Sequence, residues 1–303
     1  MKYYQITNDL VVSNIALGCM RIGKLNNNEV DLLIRKAIEL GITLFDHADI
    51  YGGGRCEELF GNVLKNNPQL REKIVIQSKC GIRKGYYDSS KEHIINSTLE
   101  SIKRLNTNYL DILLIHRPDT LMEIEEIRDA FDYLASNGYV RYFGVSNMDD
   151  MQIELIQRGI KQKLLFNQLQ LSIVHSLLFD SEFNVNMKNT LNTKANASLN
   201  YARLNNITIQ AWGVLQASWE EGTFLNNPNY QHLNEKLNEL SKMYNVSPSA
   251  IAISFILRHP AKIIPIVGTT NIHHLEKLVK ANDFMLTRKE FYELYVAAGK
   301  NLP

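Results

Sequence analysis

Two spacings of apolar residues alternate along this chain. Short runs rich in β-branched and aromatic residues recur at 13–18 (SNIALG), 42–48 (ITLFDHA), 73–79 (KIVIQSK), 111–117 (DILLIHR), 140–146 (VRYFGVS), 164–170 (LLFNQLQ), 207–213 (ITIQAWG) and 262–268 (KIIPIVG). Being apolar nearly throughout, each predicts a strand buried on both faces. Between them lie longer stretches such as NNEVDLLIRKAIELG, CEELFGNVLKNN, SKEHIINSTLESIKRLN, EEIRDAFDYLASNG and HLEKLVKANDF. Their apolar residues fall three and four apart, the spacing of an amphipathic helix. Gly41 and Gly138 each end a helical stretch just before a strand, where a left-handed helix terminus favours glycine.

Strands of this kind, each joined to the next by a helix, predict a parallel sheet covered by helices. An open dinucleotide-binding sheet would carry a glycine-rich phosphate turn after its first strand. Here that strand is followed by CMRIGKLNNN, without G-x-G-x-x-G. Eight βα units therefore predict closure into an α/β (β/α)8 TIM barrel, a single domain over 1–303 with extra loops and a C-terminal helix. Two connections are longer than a simple unit: 172–206, Asn-rich before its helix, and 214–261, a loop and two helical patterns separated by YNVSPSA. Long loops on a barrel usually carry function.

Composition narrows the function. Among 303 residues, 33 Lys and Arg balance 32 Asp and Glu, for a net charge of +1, so neither a basic nucleic-acid surface nor an acidic tail is expected. Cys19, Cys56 and Cys80 are odd in number and lack C-x-x-C spacing, which argues against a disulfide framework or a structural zinc site and for a reducing compartment. The start lacks the charged and apolar regions of a signal peptide, and no apolar run approaches the ~20 residues that span a bilayer. The expectation is a cytoplasmic protein, a monomer or weak homo-oligomer, with no membrane or nucleic-acid partner.

In such a barrel the active site forms at the C-terminal ends of the strands. Polar residues there are Asp46, His47 and Asp49 with Tyr51 in the following loop, Lys79, His116, Arg117, Ser146, Asn147, Asn167, Gln168 and Trp212. A phenol titrates near ~10 and is a poor acid at neutral pH, but an adjacent ammonium stabilises its anion. Asp46 would hold Lys79 charged, Lys79 would lower the pKa of Tyr51, and His116 would orient a carbonyl that Tyr51 protonates. No Ser-His-Asp arrangement is evident. A site built to protonate an oxyanion needs its other reactant, a hydride, from a cofactor.

FDHADIYGGG (45–54), VIQSKCG (75–81), LLIHRPD (113–119), GVSN (144–147), FNQLQLS (166–172), QAWG (210–213) and PIVGTT (265–270) resemble, in order and at the strand ends, the aldo-keto reductase superfamily over nearly the whole chain. The AWG seventh strand, the NVNMKN loop and the AAGxxLP end resemble its bacterial YdhF-like oxidoreductase branch. The resemblance implies reduction of a small-molecule aldehyde or ketone to an alcohol with NADPH, NADH remaining open, and no metal. It makes Tyr51 the general acid, Lys79 and Asp46 its tuning pair, and His116 the residue that orients the substrate. It further implies cofactor contacts from Ser146, Asn147 and Gln168 to the carboxamide and from Trp212 to the nicotinamide ring, with Gly213 and Leu215 also among the cofactor-binding residues. Gly268, Thr269, Thr270 and His274 would meet the pyrophosphate and 2′-phosphate. The chain departs from the family at Gly268, where Lys or Arg is frequent, at His274, where Arg is common, at Lys277-Leu278 in place of Glu-Asn, and at His47 in place of Thr.

Other readings stay open on the residues alone. Asp46 could form a structural ion pair, Tyr51 sit in a surface loop, Lys79 snorkel, and His116 or Trp212 pack in the core. Asn147 and the 268–271 loop could simply cap helices. Trp219, Glu220, Glu221 and His175 could line a substrate pocket or be solvated. A barrel that binds nicotinamide as a sensor without turnover is one alternative. A metal-dependent hydrolase using Asp46, His47, Asp49 and His116 is another.

Overall fold

The computed structural model describes residues 1–184 and 198–302. Most of the NVNMKN segment, and with it part of the 172–206 connection, lies outside the described residues. Eight parallel strands close a barrel in sequence order: β1 (Ala16–Gly18), β2 (Leu44–Asp46), β3 (Val75–Cys80), β4 (Leu110–Ile115), β5 (Val140–Ser146), β6 (Leu164–Gln170), β7 (Thr208–Trp212) and β8 (Ile264–Val267), the last returning to β1. The helices that follow them include α1 (Asn27–Glu39), α2 (Arg55–Asn66), α3 (Lys91–Arg104), α4 (Ile124–Ser136), α5 (Asp150–Gly159), α6 (Leu177–Phe183) and α7 (Ser198–Asn205). After β7 come α8 (Gln231–Tyr244) and α9 (Pro248–Leu257), the pair separated by YNVSPSA, and after β8 come α10 (Ile272–Val279) and α11 (Arg288–Ala297). The (β/α)8 barrel expected from the eight patterns is the fold.

Gly41 and Gly138 take positive φ of 86° and 73°. The next amides, Ile42 and Tyr139, reach back to Ala37 and Leu134 at 2.9 Å each, closing α1 and α4 as left-handed glycine termini do.

The core has two parts. Leu33, Phe60, Phe131, Phe143 and Phe255 belong to the layer between strands and helices. Inside the barrel, Ala16, Leu44, Ile112, Leu114, Phe166, Ile264 and Ile266 pack with Leu10 and Val12. The last two belong to a feature the patterns did not reveal, an antiparallel hairpin of Tyr3–Gln5 and Val11–Ser13 that closes the N-terminal end of the barrel. It also corrects the first two strands, which are three residues each rather than 13–18 and 42–48. Ser13 leaves the barrel ladder for the hairpin and meets the second strand through side chains: its amide donates to Thr43 Oγ1 at 2.8 Å, and its Oγ accepts from the Thr43 amide at 3.0 Å.

Candidate active site

Side chains on a strand alternate between faces, so the inward set is fixed by Leu44, Ile112, Leu114 and Phe166 in the inner core. The same face then carries Asp46 on β2, Gln77 and Lys79 on β3, His116 just past β4, Gln168 on β6, and Gln210 and Trp212 on β7. The lower levels of the barrel are apolar, and the polar residues collect at the C-terminal end.

Tyr51 reaches this set because the chain turns sharply after it. Gly52, Gly53 and Gly54 have φ of 60°, 65° and 95°, a run of three successive positive-φ residues that glycine adopts without strain. The turn feeds α2 and leaves Tyr51 over the end of β3.

Lys79 is fully buried and all three of its ammonium protons are used. Its Nζ lies 2.7 Å from Asp46 Oδ1 and 2.8 Å from Oδ2, 2.8 Å from the His47 carbonyl and 3.1 Å from Tyr51 Oη. Because Lys79 has no acceptor lone pair, it donates to the phenol oxygen, and the phenol's own proton must point elsewhere. Burial pulls the Lys79 ammonium down, but Asp46 and Tyr51 outweigh it and hold it above its usual value. For Tyr51 the balance differs from the sequence expectation. Burial pushes the phenol up, Lys79 pulls it back only in part, and its pKa stays above the ordinary 10.

The His116 ring stands edge-on to Tyr51 with centroids 6.0 Å apart. Burial, Lys79 and Arg117 depress it to about 2, so it is a neutral imidazole, and its Nδ1 finds no partner among the described residues. His47, by contrast, turns away from the mouth. It is sealed against Phe60 at 4.5 Å, both ring nitrogens lack partners among the described residues, and burial lowers it to about 3. No group of three or more His, Cys, Asp or Glu side chains that could hold a metal occurs among the described residues.

Opposite Tyr51, the predicted carboxamide contacts are linked to one another. Ser146 Oγ donates to the Gln168 carbonyl at 2.9 Å and accepts from Asn147 Nδ2 at 2.8 Å. Asn147, at φ 57°, takes the Trp212 indole proton on its Oδ1 at 3.2 Å. Trp212 is thus half-buried and pinned by its polar edge rather than immersed in the core. Gly213 at φ 68° turns the chain after it, and Leu215 is half-buried beside it. Gln168 turns its amide nitrogen inward, to Asp46 Oδ1 at 2.9 Å and Gln210 Oε1 at 3.0 Å.

The 268–274 loop is half-open. Asn271 caps α10 by accepting the His274 amide at 3.1 Å, and the His274 and Lys277 side chains are exposed. Arg21, which the sequence patterns did not single out, approaches from the loop after β1 and donates from Nη1 to the Gly268 carbonyl at 3.4 Å. Gln77 and Gln210 were also missed. The signal was available, since each sits two residues before a strand-end residue that was named. Trp219 and its neighbours Glu220 and Glu221 are exposed on the hairpin of Gln216–Ser218 and Gly222–Thr223, and His175 is half-buried in the loop after β6.

A family model described as the Aldo/keto reductase family matches residues 14–296. The chain belongs to the aldo/keto reductase family. Similar family relatives include an uncharacterized oxidoreductase, YcsN, of Bacillus subtilis strain 168, 34% identical over 318 residues with 100% of both chains covered. Oxidoreductase YdhF of Escherichia coli K12 is 34% identical, covering 96% of this chain and 95% of its own. A 6-dehydroglucose reductase of Agrobacterium fabrum is 33% identical over 100% of both chains. Among solved structures, the thermostable aldo-keto reductase Tm1743 with the inhibitor epalrestat superposes with a TM-score of 0.77 at 24% identity, over 98% of this chain and 100% of that one. An aldo/keto reductase from Klebsiella pneumoniae with NADP and acetate gives 0.76 at 20% identity, over 97% of this chain and 94% of that one. Both share its barrel. This aldo/keto reductase is an oxidoreductase of the YdhF-like bacterial branch.

Proposed function

We propose that the protein reduces an aldehyde or ketone to the alcohol with NADPH, Tyr51 delivering the proton. The observation that carries this reading is the direction of the hydrogen bond between Lys79 and Tyr51. With Nζ 3.1 Å away and donating, the phenol proton is left for an oxygen at the barrel mouth. There His116, held neutral with its pKa lowered to about 2, offers a ring proton to the same oxygen without competing as an acid. As negative charge grows on the substrate oxygen, Tyr51 gives up its proton and Lys79 stabilises the phenolate that results.

The reduced nicotinamide supplies the hydride when bound. The donor set fits it. Asn147 fixes the Trp212 ring by its indole edge, which frees a ring face for stacking; the Ser146 hydroxyl and Asn147 amide form a connected pair for a carboxamide, anchored on the Gln168 backbone carbonyl, and Gln168 would add its amide oxygen. Gly268, Thr269 and Thr270 would meet the pyrophosphate, and Arg21 supplies the guanidinium that residues 268–274 lack. That charge favours NADPH over NADH.

Titrating the protein with NADPH and following nicotinamide fluorescence tests binding, and oxidation of NADPH with a panel of aldehydes and ketones tests turnover. Tyr51→Phe should cut kcat by about a hundredfold or more with NADPH affinity nearly unchanged. Equal rates for the variant and the parent protein would place the acid elsewhere, and an unperturbed cofactor signal would remove the reading altogether.

A further inference from the structure

Beneath Lys79 the barrel lumen is crossed by a layer of amides. Asp46 and Gln77 are register partners on adjacent strands, and so are Gln168 and Gln210. Strands β3 and β7 lie four places apart in an eight-strand cycle, on opposite sides of the barrel, so the two pairs meet across it. Gln77 and Gln210 exchange two hydrogen bonds of 2.8 Å each. Gln77 Nε2 also donates to Asp46 Oδ1 at 2.6 Å, which Gln168 Nε2 approaches at 2.9 Å. Gln210 Oε1 takes the second bond of Gln168 at 3.0 Å. Both Gln77 and Gln210 are 0% exposed.

The orientation of every amide in this layer follows from one charge. A carboxylate only accepts, so Gln77 and Gln168 must turn their nitrogens toward Asp46. The Gln77 oxygen then faces the Gln210 nitrogen, and the Gln210 oxygen faces the nitrogens of both other glutamines. A buried ion pair is costly to desolvate, and only geometry in which the remaining lone pairs are satisfied offsets the cost. Lys79 alone leaves Asp46 short of donors, and the glutamines complete its shell.

We propose that Gln77 and Gln210 are positioning residues for the Lys79–Asp46 pair, holding the Asp46 carboxylate in place so that Lys79 stays directed at Tyr51. Gln77 acts directly on the carboxylate, and Gln210, with no bond to Asp46, acts by orienting Gln77 and Gln168. The assignment rests on Tyr51 being the proton donor. The titratable groups facing Asp46 are Lys79 from β3 and Tyr51 and Cys19 from the loops after β2 and β1, while β6 and β7 contribute only neutral amides.

The test is the split between kcat and KM in the double variant Gln77→Met, Gln210→Met, which removes both halves of the Gln77–Gln210 pair together. Loss of these bonds should lower kcat by about tenfold. KM for the carbonyl should stay within about twofold of the parent value, since a misdirected Lys79 affects proton delivery rather than binding. Should the double variant fail to fold, Gln210→Met alone is expected to lower kcat in the same way by less. An unchanged kcat in a folded variant, or a loss confined to thermal stability, overturns the proposal. Absence of turnover in the parent protein, or full activity of Tyr51→Phe, would instead overturn the assignment of Tyr51 on which it rests.

Discussion

Arg21 stands beside a loop whose own residues carry no arginine. The 268–274 loop carries Gly268, where a β-carbon would lie 3.6 Å from Arg21 Nη1, so a residue without a side chain leaves this approach open. The guanidinium is exposed and its only bond to the loop is long, which leaves its remaining donors for an anion. If Arg21 grips the 2′-phosphate, Arg21→Met should weaken NADPH binding by about tenfold or more, the size of a lost charge-assisted hydrogen bond, with much less effect on NADH. Fluorescence titration with both cofactors reads this directly. Equal losses would put Arg21 on a phosphate the two cofactors share, and no loss would remove it from the site. Arg21 was illegible in the sequence because it approaches the loop from the far end of the chain. Asp46, Tyr51, Lys79 and His116 were legible because each stands at or just beyond a strand end in its own segment. Gln77 and Gln210 sat inside runs read only as apolar strand, and their meaning depends on a pairing across 133 residues.

At the level of elements, helix ends and helix contacts separate what a sequence states locally from what it leaves to packing. Two glycine terminators were visible, but Asn106, Asn206 and Asn245, at φ of 49°, 55° and 52°, do the same for α3, α7 and α8. Asn is abundant here in loops and caps as well, so no single Asn announces the role. Three short hairpins among the described residues, Tyr3–Gln5 with Val11–Ser13, Ile82–Arg83 with Tyr86–Tyr87 and Gln216–Ser218 with Gly222–Thr223, went unseen for a related reason: strands of two or three residues are too brief to display alternation. Gly61 is a packing matter that only the fold reveals. It lies in α2 where that helix meets the end of α3, and a β-carbon there would stand 2.0 Å from the Arg104 carbonyl oxygen and 2.8 Å from the Leu105 carbonyl carbon. Both neighbours are backbone and cannot rotate aside. Gly61→Ala should therefore destabilise the protein by about 3 kcal/mol through overpacking, despite the better helix propensity of alanine. Urea unfolding monitored by circular dichroism measures it. The displaced Arg104 would also strain its 2.8 Å ion pair with the buried Glu57.

For the molecule as a whole, burial of histidines sets the response to acid. His47, His116 and His259 are lowered to about 3, 2 and 4, chiefly by burial, while in the unfolded chain a histidine titrates near ~6.5. Below that pH the unfolded chain takes up protons the folded barrel refuses, so the stability these residues allow is intact above pH ~6.5 and drains away as the pH falls. Asp49 runs the other way. Burial and Glu57 raise it to about 6, so the fold gains a proton there that the unfolded chain does not, which offsets part of the loss. His47 is the cleanest probe, being 0% exposed and without a side-chain partner among the described residues. It should cost about 2 kcal/mol of stability between pH 7 and pH 5. His47→Leu removes the titration whatever it does to packing. The difference in unfolding free energy between the two pH values should shrink by about that amount in the variant. An unchanged difference would mean that the buried ring is protonated within the barrel after all.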